Sequence, residues 1–335
     1  MSKTINKKDQ KTPVKKAKIE KKELKEKEAV SKKSFITPNE SVKITLKWTV
    51  VEPIYKKTVN HFAKSVKAEG FRIGKAPFAI VEKNVGSEKI INQVLRELLP
   101  QAYEAAIKQD NKKPITTPEF NPISLEKGKD WTLEAYFSPI PEVKLGDYKK
   151  IIQKAKKEAA AFITKRNEEI KKEAAACENK EKNHDHEHAH QALGENEIRE
   201  INLQHIFKGL VDEFAPAIGE LLLRQETQTE YEKLVDQLKQ YKISTQDYLT
   251  RRQITIEQLS QELAGQVLSR LQLDFIIAAI SQAEKLTIED KEVTDELDKL
   301  TDQNIRQELA KNQNYLNQIK ANLLQRKTLD LLLKL

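Results

Sequence analysis

One cysteine, one methionine and nine glycines occur among 335 residues, and each scarcity removes a class of protein. A lone cysteine, Cys177, rules out a disulfide within the chain and suits a reducing compartment. With Met1 the only methionine, a pliable methionine-lined groove is excluded. So few glycines favour long helices. No early run of about 7 to 15 apolar residues could serve as a signal peptide, and no stretch of about 20 apolar residues could span a bilayer. A cytoplasmic protein without a membrane partner is expected. No internal repeat stands out, and no catalytic constellation is present. Cys177 and His184 are close in sequence, but their segment has no apolar support for thiol chemistry. No cofactor is implied, and an enzyme is not expected.

Charged residues make up 33% of the chain and hydrophobic ones 38%, which is polar yet sufficient for a core. The excess of positive charge is local. Residues 1–33 hold thirteen lysines against five acids, a net +8, and the whole chain is also +8, so the rest is neutral overall. A lysine-rich tail at 1–34 is expected to be disordered and to attract polyanions with steep salt dependence.

Order is expected from Phe35. Val42, Ile44, Leu46, Trp48 and Val50 alternate along S-V-K-I-T-L-K-W-T-V, the pattern of a half-buried strand. Pro53 then opens a helix carrying Tyr55, Val59, Phe62, Ala63 and Val66 on one face. Pro77 starts a short helix that Gly86 ends, and Ser87 caps a longer one with Ile91, Val94, Leu95, Leu98 and Ala102, kinked at Pro100. Trp131, Leu133, Ala135 and Phe137 alternate in a second strand. Strands with helices between them make an α+β domain. The later chain reads as helical. Thr255 with Gln258 matches a capping box, and Ser244 with Asp247 and Thr287 with Asp290 resemble one. The longest helix is expected from Ile256 to Glu284, striped by Leu259, Leu263, Val267, Leu271 and Phe275. A last helix near 304–334 carries Leu309, Leu316, Ile319, Leu323, Leu324 and Leu329.

Between the first two helices stands E-G-F-R-I-G-K-A-P, residues 69–77. It is not a nucleotide-binding loop: three residues rather than four separate Gly70 from Gly74, Ala76 follows Lys75 where a Ser or Thr would hold magnesium, and a helix precedes it. Two glycines permit a sharp turn, Arg72 offers a planar fork to phosphate or carboxylate, Lys75 adds a mobile charge and Phe71 an aromatic plug. Phe71 equally suits pinning two helices together.

This order of elements, with Gly70-Phe71-Arg72-Ile73-Gly74-Lys75-Ala76-Pro77, L-L-P-Q-A-Y-E-A-A-I at 98–107 and Pro141 to Tyr148, resembles the ribosome-binding domain of trigger factor, the bacterial nascent-chain chaperone. The pattern from about 200 to 335 is similar to the helical C-terminal domain of that family, including Leu210-Val211-Asp212 before Phe214 and Pro216. The resemblance implies an α+β ribosome-binding domain at 35–148, a helix at 149–176 packing with the C-terminal domain, a His-rich loop at 177–197, and an elongated, mainly α-helical chaperone domain at 198–335. It implies that Gly70, Phe71, Arg72, Ile73, Gly74, Lys75 and Pro77 bind the large ribosomal subunit beside the tunnel exit, touching protein and RNA, and that unfolded nascent polypeptides are the other partners. Family members commonly place another basic or polar residue where Ile73 stands, which implies less charge at the tip. Full-length members also insert a prolyl isomerase domain of roughly 100 residues, for which the interval between Lys149 and Ile198 leaves no room. A form without isomerase activity is therefore expected.

His184, His186, His188 and His190 alternate in H-D-H-E-H-A-H and could bind zinc, nickel or copper loosely, but a polar loop supplies no preorganised second shell. The expectation is a solvated loop and no functional metal. Two further readings stay open: a ribosome-independent holdase or assembly chaperone that could pair as a weak homodimer, and an RNA-binding protein driven by the tail.

Overall fold

The structure, a computed structural model, describes residues 35–67, 69, 71–72, 74–178, 192–299 and 303–335. The tail at 1–34, Gly70, Ile73 and the four alternating histidines lie outside them.

Three antiparallel strands, β2 (Glu40–Leu46), β3 (Glu119–Ser124) and β4 (Trp131–Phe137), form a sheet in the order β2-β4-β3. The register places Val42 opposite Ala135 and Ile44 opposite Leu133, so the alternating apolar residues share one buried face. Helices α1 (Trp48–Ala63), α2 (Phe78–Val85) and α3 (Ser87–Gln109) supply the rest of that core through Val51, Tyr55, Val59, Val81, Ile90 and Val94. β3 is an edge strand with a register shift after Pro122, where a residue lacking an N–H does least harm.

The first strand is shorter than its alternation suggests. It stops at Leu46; Trp48 and Val50 sit in the first turn of α1, and Val50 is 51% exposed. The cause is a cap from far along the chain: the Trp48 N–H donates to Asp130 Oδ1 at 2.7 Å, satisfying a donor that a helix start otherwise leaves bare. Pro53 consequently lies inside α1 rather than opening it. Gly86, at φ +84°, closes α2 and caps α3, so Ser87 is a helical residue and not the cap. A single α3 runs through Pro100.

The remainder is helical: α4 (Tyr148–Glu178), α5 (Glu195–Phe214), α6 (Glu220–Gln240), α7 (Thr245–Arg252), α8 (Ile256–Ala283), α9 (Asp290–Leu297), α10 (Gln303–Leu309) and α11 (Gln313–Lys334). Ser244 caps α7 and the Thr255–Gln258 box caps α8. α9 instead begins at Asp290 with Glu289, not Thr287, as its cap, in a Glu289–Glu292 box where the Glu289 N–H donates to Glu292 Oε2 at 2.9 Å. The last helix is divided, since Asn312 Oδ1 accepts from Asn314 and Tyr315 N–H and begins α11 afresh. With 31 residues α4 is longer than α8, with 28. α8 is also apolar and long enough to cross a membrane by length and composition, contrary to the sequence reading, because scattered polar residues break its apolar runs. In the fold it is the spine of the body. Leu259 and Leu263 pack on α7, Val267 and Leu271 on α6, and Ile276 and Ile280 on α4, α5 and α11. Buried apolar residues form five separate clusters among the described residues.

Sheet and helical body meet at a short parallel ladder, β1 (Ile36–Thr37) beside β5 (Ile218–Gly219). α6 begins immediately after β5 with no capping side chain of its own. Its orphan donors are satisfied from the other part: Leu221 N–H donates to Asn39 Oδ1 at 2.8 Å, and Leu222 N–H to Ser138 Oγ at 3.1 Å. Ser138 is fully buried, its own N–H held by Thr116 Oγ1 at 2.9 Å. A Cβ on Gly219 would overlap the Ser138 side chain, so only glycine lets the two backbones approach. Gln225 Nε2 reaches Thr117 O at 3.0 Å and Arg224 pairs with Glu119 on the surface of the same joint.

Asn39→Ala should therefore cost about 1–2 kcal/mol, the value of an N-cap, read by urea denaturation, with Asn39→Asp retaining most of the stability. An Asn39→Ala chain as stable as wild type would show that the joint does not hold α6.

Candidate functional site

α1 ends at Ala63 and α2 begins at Phe78, so the segment between them is presented by two helix ends packed on one sheet. Gly74 N–H donates to Ala63 O at 3.1 Å, and Lys75 N–H donates to Arg72 O at 2.9 Å. The first bond ties the loop back to α1; the second folds its tip. Gly74 sits at φ +85° with open space where a Cβ would point, so backbone conformation, not crowding, selects glycine there. Phe71 is 42% exposed, and Arg72, Lys75 and Pro77 are exposed. Arg72 and Lys75 make no ion pair with any described residue. An aromatic ring and two uncommitted cations thus share one protruding turn.

A charged cluster clamps the two helices behind this turn. Tyr55 of α1 donates to Glu82 Oε1 of α2 at 2.6 Å, and Lys127 Nζ, from the β3–β4 connection, donates to Glu82 Oε1 and Oε2 at 2.6 and 2.8 Å. The Lys127 ammonium also lies 5.5 Å from the Tyr55 ring centre and 5.4 Å from that of Phe78. Burial, with the Glu82 charge adding to it, pushes the Tyr55 phenol well up. Burial alone would raise the Glu82 carboxyl too, but the hydrogen bonds from Lys127 and Tyr55 outweigh it and hold the carboxyl below its usual range.

The body carries concave surfaces on both flanks of α8. A cleft of about 530 Å³ lies between α6 and α8, walled by Leu223, Thr227, Tyr231, Ile256, Leu263 and Ala264. A second, of about 580 Å³, lies between α8 and α11 beside Asp274, Ile277, Ala278 and Leu324. Between them Arg270 reaches α6, pairing with Glu226 and Glu230 at 3.0 Å each. Burial pushes the Asp274 carboxyl up against the pull of Arg270. Residues 256, 260, 263 and 264 of α8 line the first cleft and 270, 274, 277, 278 and 281 the second, with buried Val267 between the two groups on the same face. The small Ala264 and Ala278 mark places where the neighbouring helices stand back. Another apolar cleft, about 800 Å³, lies on the sheet domain between α3 and β3. Within it Tyr103 packs edge-on to Phe120, and its buried hydroxyl has no hydrogen-bond partner among the described residues.

Among the described residues no three His, Cys, Asp or Glu side chains gather as a metal site would need; the histidine run is outside them. α4 extends to Glu178 and α5 starts at Glu195, so the loop expected at 177–197 is narrower at both ends.

Two family models match the chain. One, for the bacterial trigger factor protein, covers residues 28–175, and the other, for the trigger factor C-terminus, covers 186–334. A trigger factor of Streptococcus suis (strain 05ZYH33) is 35% identical over 131 residues, 39% of this chain and 30% of that protein. One of Streptococcus pyogenes serotype M1 is 36% identical over 111 residues, 33% of this chain and 26% of that one. The aligned segment spans under a third of the length of these curated relatives. A solved structure of the trigger factor chaperone, described for promiscuous substrate recognition in folding and assembly, superposes with a TM-score of 0.53 over 88% of this chain and 97% of that one, at 13% identity. That likeness is one of fold.

The Glu82 clamp has a defined pH signature. A carboxyl whose folded pKa lies below its unfolded value stabilises fully above the unfolded value, about 4.3, and loses that contribution as pH falls through the folded one. Glu82→Gln should cost about 1 kcal/mol at neutral pH, discounted for the half-exposed Lys127. Between about pH 6 and pH 3 the melting temperature of the variant should fall less steeply than that of wild type; parallel curves would mean that Glu82 carries none of the acid sensitivity.

Proposed function

Because the chain belongs to the trigger factor family in both of its halves, we propose that it is a ribosome-associated molecular chaperone, which holds nascent polypeptides at the tunnel exit and delays their misfolding without prolyl isomerase activity. The observation that carries this reading is the protruding turn with Phe71, Arg72 and Lys75 exposed and both cations unpaired among the described residues. Binding a ribosomal surface needs a rigid mount and a tip whose charges are not already spent. The Gly74–Ala63 bond and the Glu82 clamp supply the mount. Arg72 then offers paired donors to a phosphate or carboxylate, Lys75 a second charge, and Phe71 a ring to seat in an apolar pocket. Gly70, Ile73, Gly74 and Pro77 belong to the same ribosome-binding loop in this reading.

Holding an unfolded chain requires weak contacts repeated along a concave surface, and the two clefts beside α8 provide apolar walls of suitable size. Ile256, 42% exposed at one cleft mouth, is the kind of apolar group a client would cover. The division follows the resemblance: residues 35–148 bind the ribosome, 149–176 link, 177–197 connect, and 198–335 hold clients in the cytoplasm. Support for the lack of isomerase activity comes from the connection. Only residues 176–185 fall between the two family-model matches. α4 and α5 also pack directly on one another, with Gly209 of α5 close against Ile151 and Ala155 of α4, which leaves the insertion point spanned by one short segment.

Co-sedimentation with large ribosomal subunits tests the reading. Phe71→Ala, Arg72→Ala and Lys75→Ala together should weaken association more than about tenfold, a loss near 1.4 kcal/mol, with an unchanged circular dichroism spectrum. If the triple variant binds normally and deletion of residues 1–33 removes binding, association is driven by the tail instead.

A further inference from the structure

We propose that a polar groove between α1 and α3 holds the phosphate backbone of ribosomal RNA beside the exposed turn at 69–77. The proposal rests on the ribosome association argued above and adds to it a second contact surface, outside the turn. The groove, of about 710 Å³, is walled by Lys57, Asn60, His61 and Lys64 of α1 and by Gln93 and Glu97 of α3. Positions 57, 60, 61 and 64 share one face of α1, as 93 and 97 share one face of α3. Ala63 O accepts from Gly74 N–H and Lys64 follows Ala63, so one end of the groove adjoins the turn.

The lining selects the partner. Leucine and isoleucine wall the clefts beside α8, whereas Pro53 is the only apolar residue lining this groove. A protein partner needs an apolar centre to anchor it, and the groove offers none. Phosphate oxygens are met instead by lysine ammonium groups and by Asn and Gln amides, with no reading of sequence. The side chains of Asn60, Lys64 and Gln93 have no hydrogen-bond partner among the described residues, so their donors are unspent. Lys57 is paired with Glu97 and Lys56 with Glu52, but these side chains are between 39% and 68% exposed. Pairs so open contribute little and can exchange for a phosphate.

The charge around the groove has the matching sign. Residues 60–96, which run from the end of α1 through the turn into α3, hold seven lysines and arginines against three acids, a net +4, although the chain beyond residue 33 is neutral overall. One of those acids, Glu82, is taken up by Lys127 and Tyr55. The positive field is therefore concentrated at this end of the sheet domain, where it draws in a polyanion. A helix C-terminus also favours nearby cations, but that accounts neither for the two free amides nor for the excess charge beyond α1.

Directed cleavage of RNA tests the placement. In the full chain, Cys177→Ser removes the lone cysteine, and Asn60→Cys or Phe71→Cys then carries an iron–EDTA tether at an exposed position. Bound to large ribosomal subunits, the Asn60→Cys tether should cut ribosomal RNA at nucleotides that the Phe71→Cys tether leaves intact. Salt dependence supplies a second readout. Lys64→Gln should lower the ratio of affinities at about 50 and 200 mM salt roughly threefold, the share of one phosphate contact, whereas Glu97→Gln, which frees Lys57, should raise it by a similar factor. Changing the exposed Lys171 and Lys172 of α4 to Gln should leave the ratio unchanged. Cleavage from Phe71→Cys without cleavage from Asn60→Cys overturns the groove, as does a salt dependence that Lys64→Gln and Glu97→Gln both leave unaltered. Weakened binding by Lys64→Gln with no RNA cut from Asn60→Cys assigns the groove to an acidic protein surface and overturns the RNA reading. If the parent chain does not associate with large subunits, the ribosome reading itself fails.

Discussion

The arrangement of the molecule depends on how the first turn of α6 is satisfied. A helix start leaves backbone donors bare, and burying them without partners costs more than most surface contacts return. α6 follows β5 through Gly219 and brings no cap of its own, so Asn39 and Ser138 from the sheet domain provide it. The joint is directional as well as apolar. It sets the position of α6, and because α8 packs on α6 through Val267 and Leu271, it sets the clefts too. The loop at one end of the sheet domain and the concave surfaces of the body are thereby held in one framework.

α8 is the second organising element. Its apolar residues are shared among several clusters rather than concentrated in one, and no neighbour covers its whole circumference. A helix surrounded on all sides would be ordinary core. One with separate clefts beside α6 and α11 gives a surface at which polar and apolar groups alternate, with the Arg270 pairs standing between the two hollows. Such a surface suits weak, many-register contact better than tight recognition.

The turn at 69–77 shows the opposite economy. Its scaffold is over-determined by the Tyr55–Glu82–Lys127 cluster and the Gly74 tie, while Arg72 and Lys75 form no ion pair among the described residues. Rigid support with unspent charge is what a docking element requires. α4 packs directly on α5, and Tyr148 and Lys149 fasten the root of α4 to Glu284 at the end of α8.

Local chemistry alone was enough for much of this chain. The alternation of Trp131, Leu133, Ala135 and Phe137, the Thr255–Gln258 box, the Ser244 cap and the glycine-bearing turn all depend on neighbours within a few residues, where spacing and side-chain type decide the outcome. Where the decisive partner is distant, the same reasoning fell short. Trp48 and Val50 continue the alternation of β2, yet Asp130 captures the Trp48 N–H and turns them into helix. α6 shows no capping signal because its caps lie in another domain, and an α8 residue turned toward a cleft has the same composition as one turned toward the core. Periodicity identifies the faces of a helix; which face stays open is decided by where the other helices end, and that depends on long-range packing.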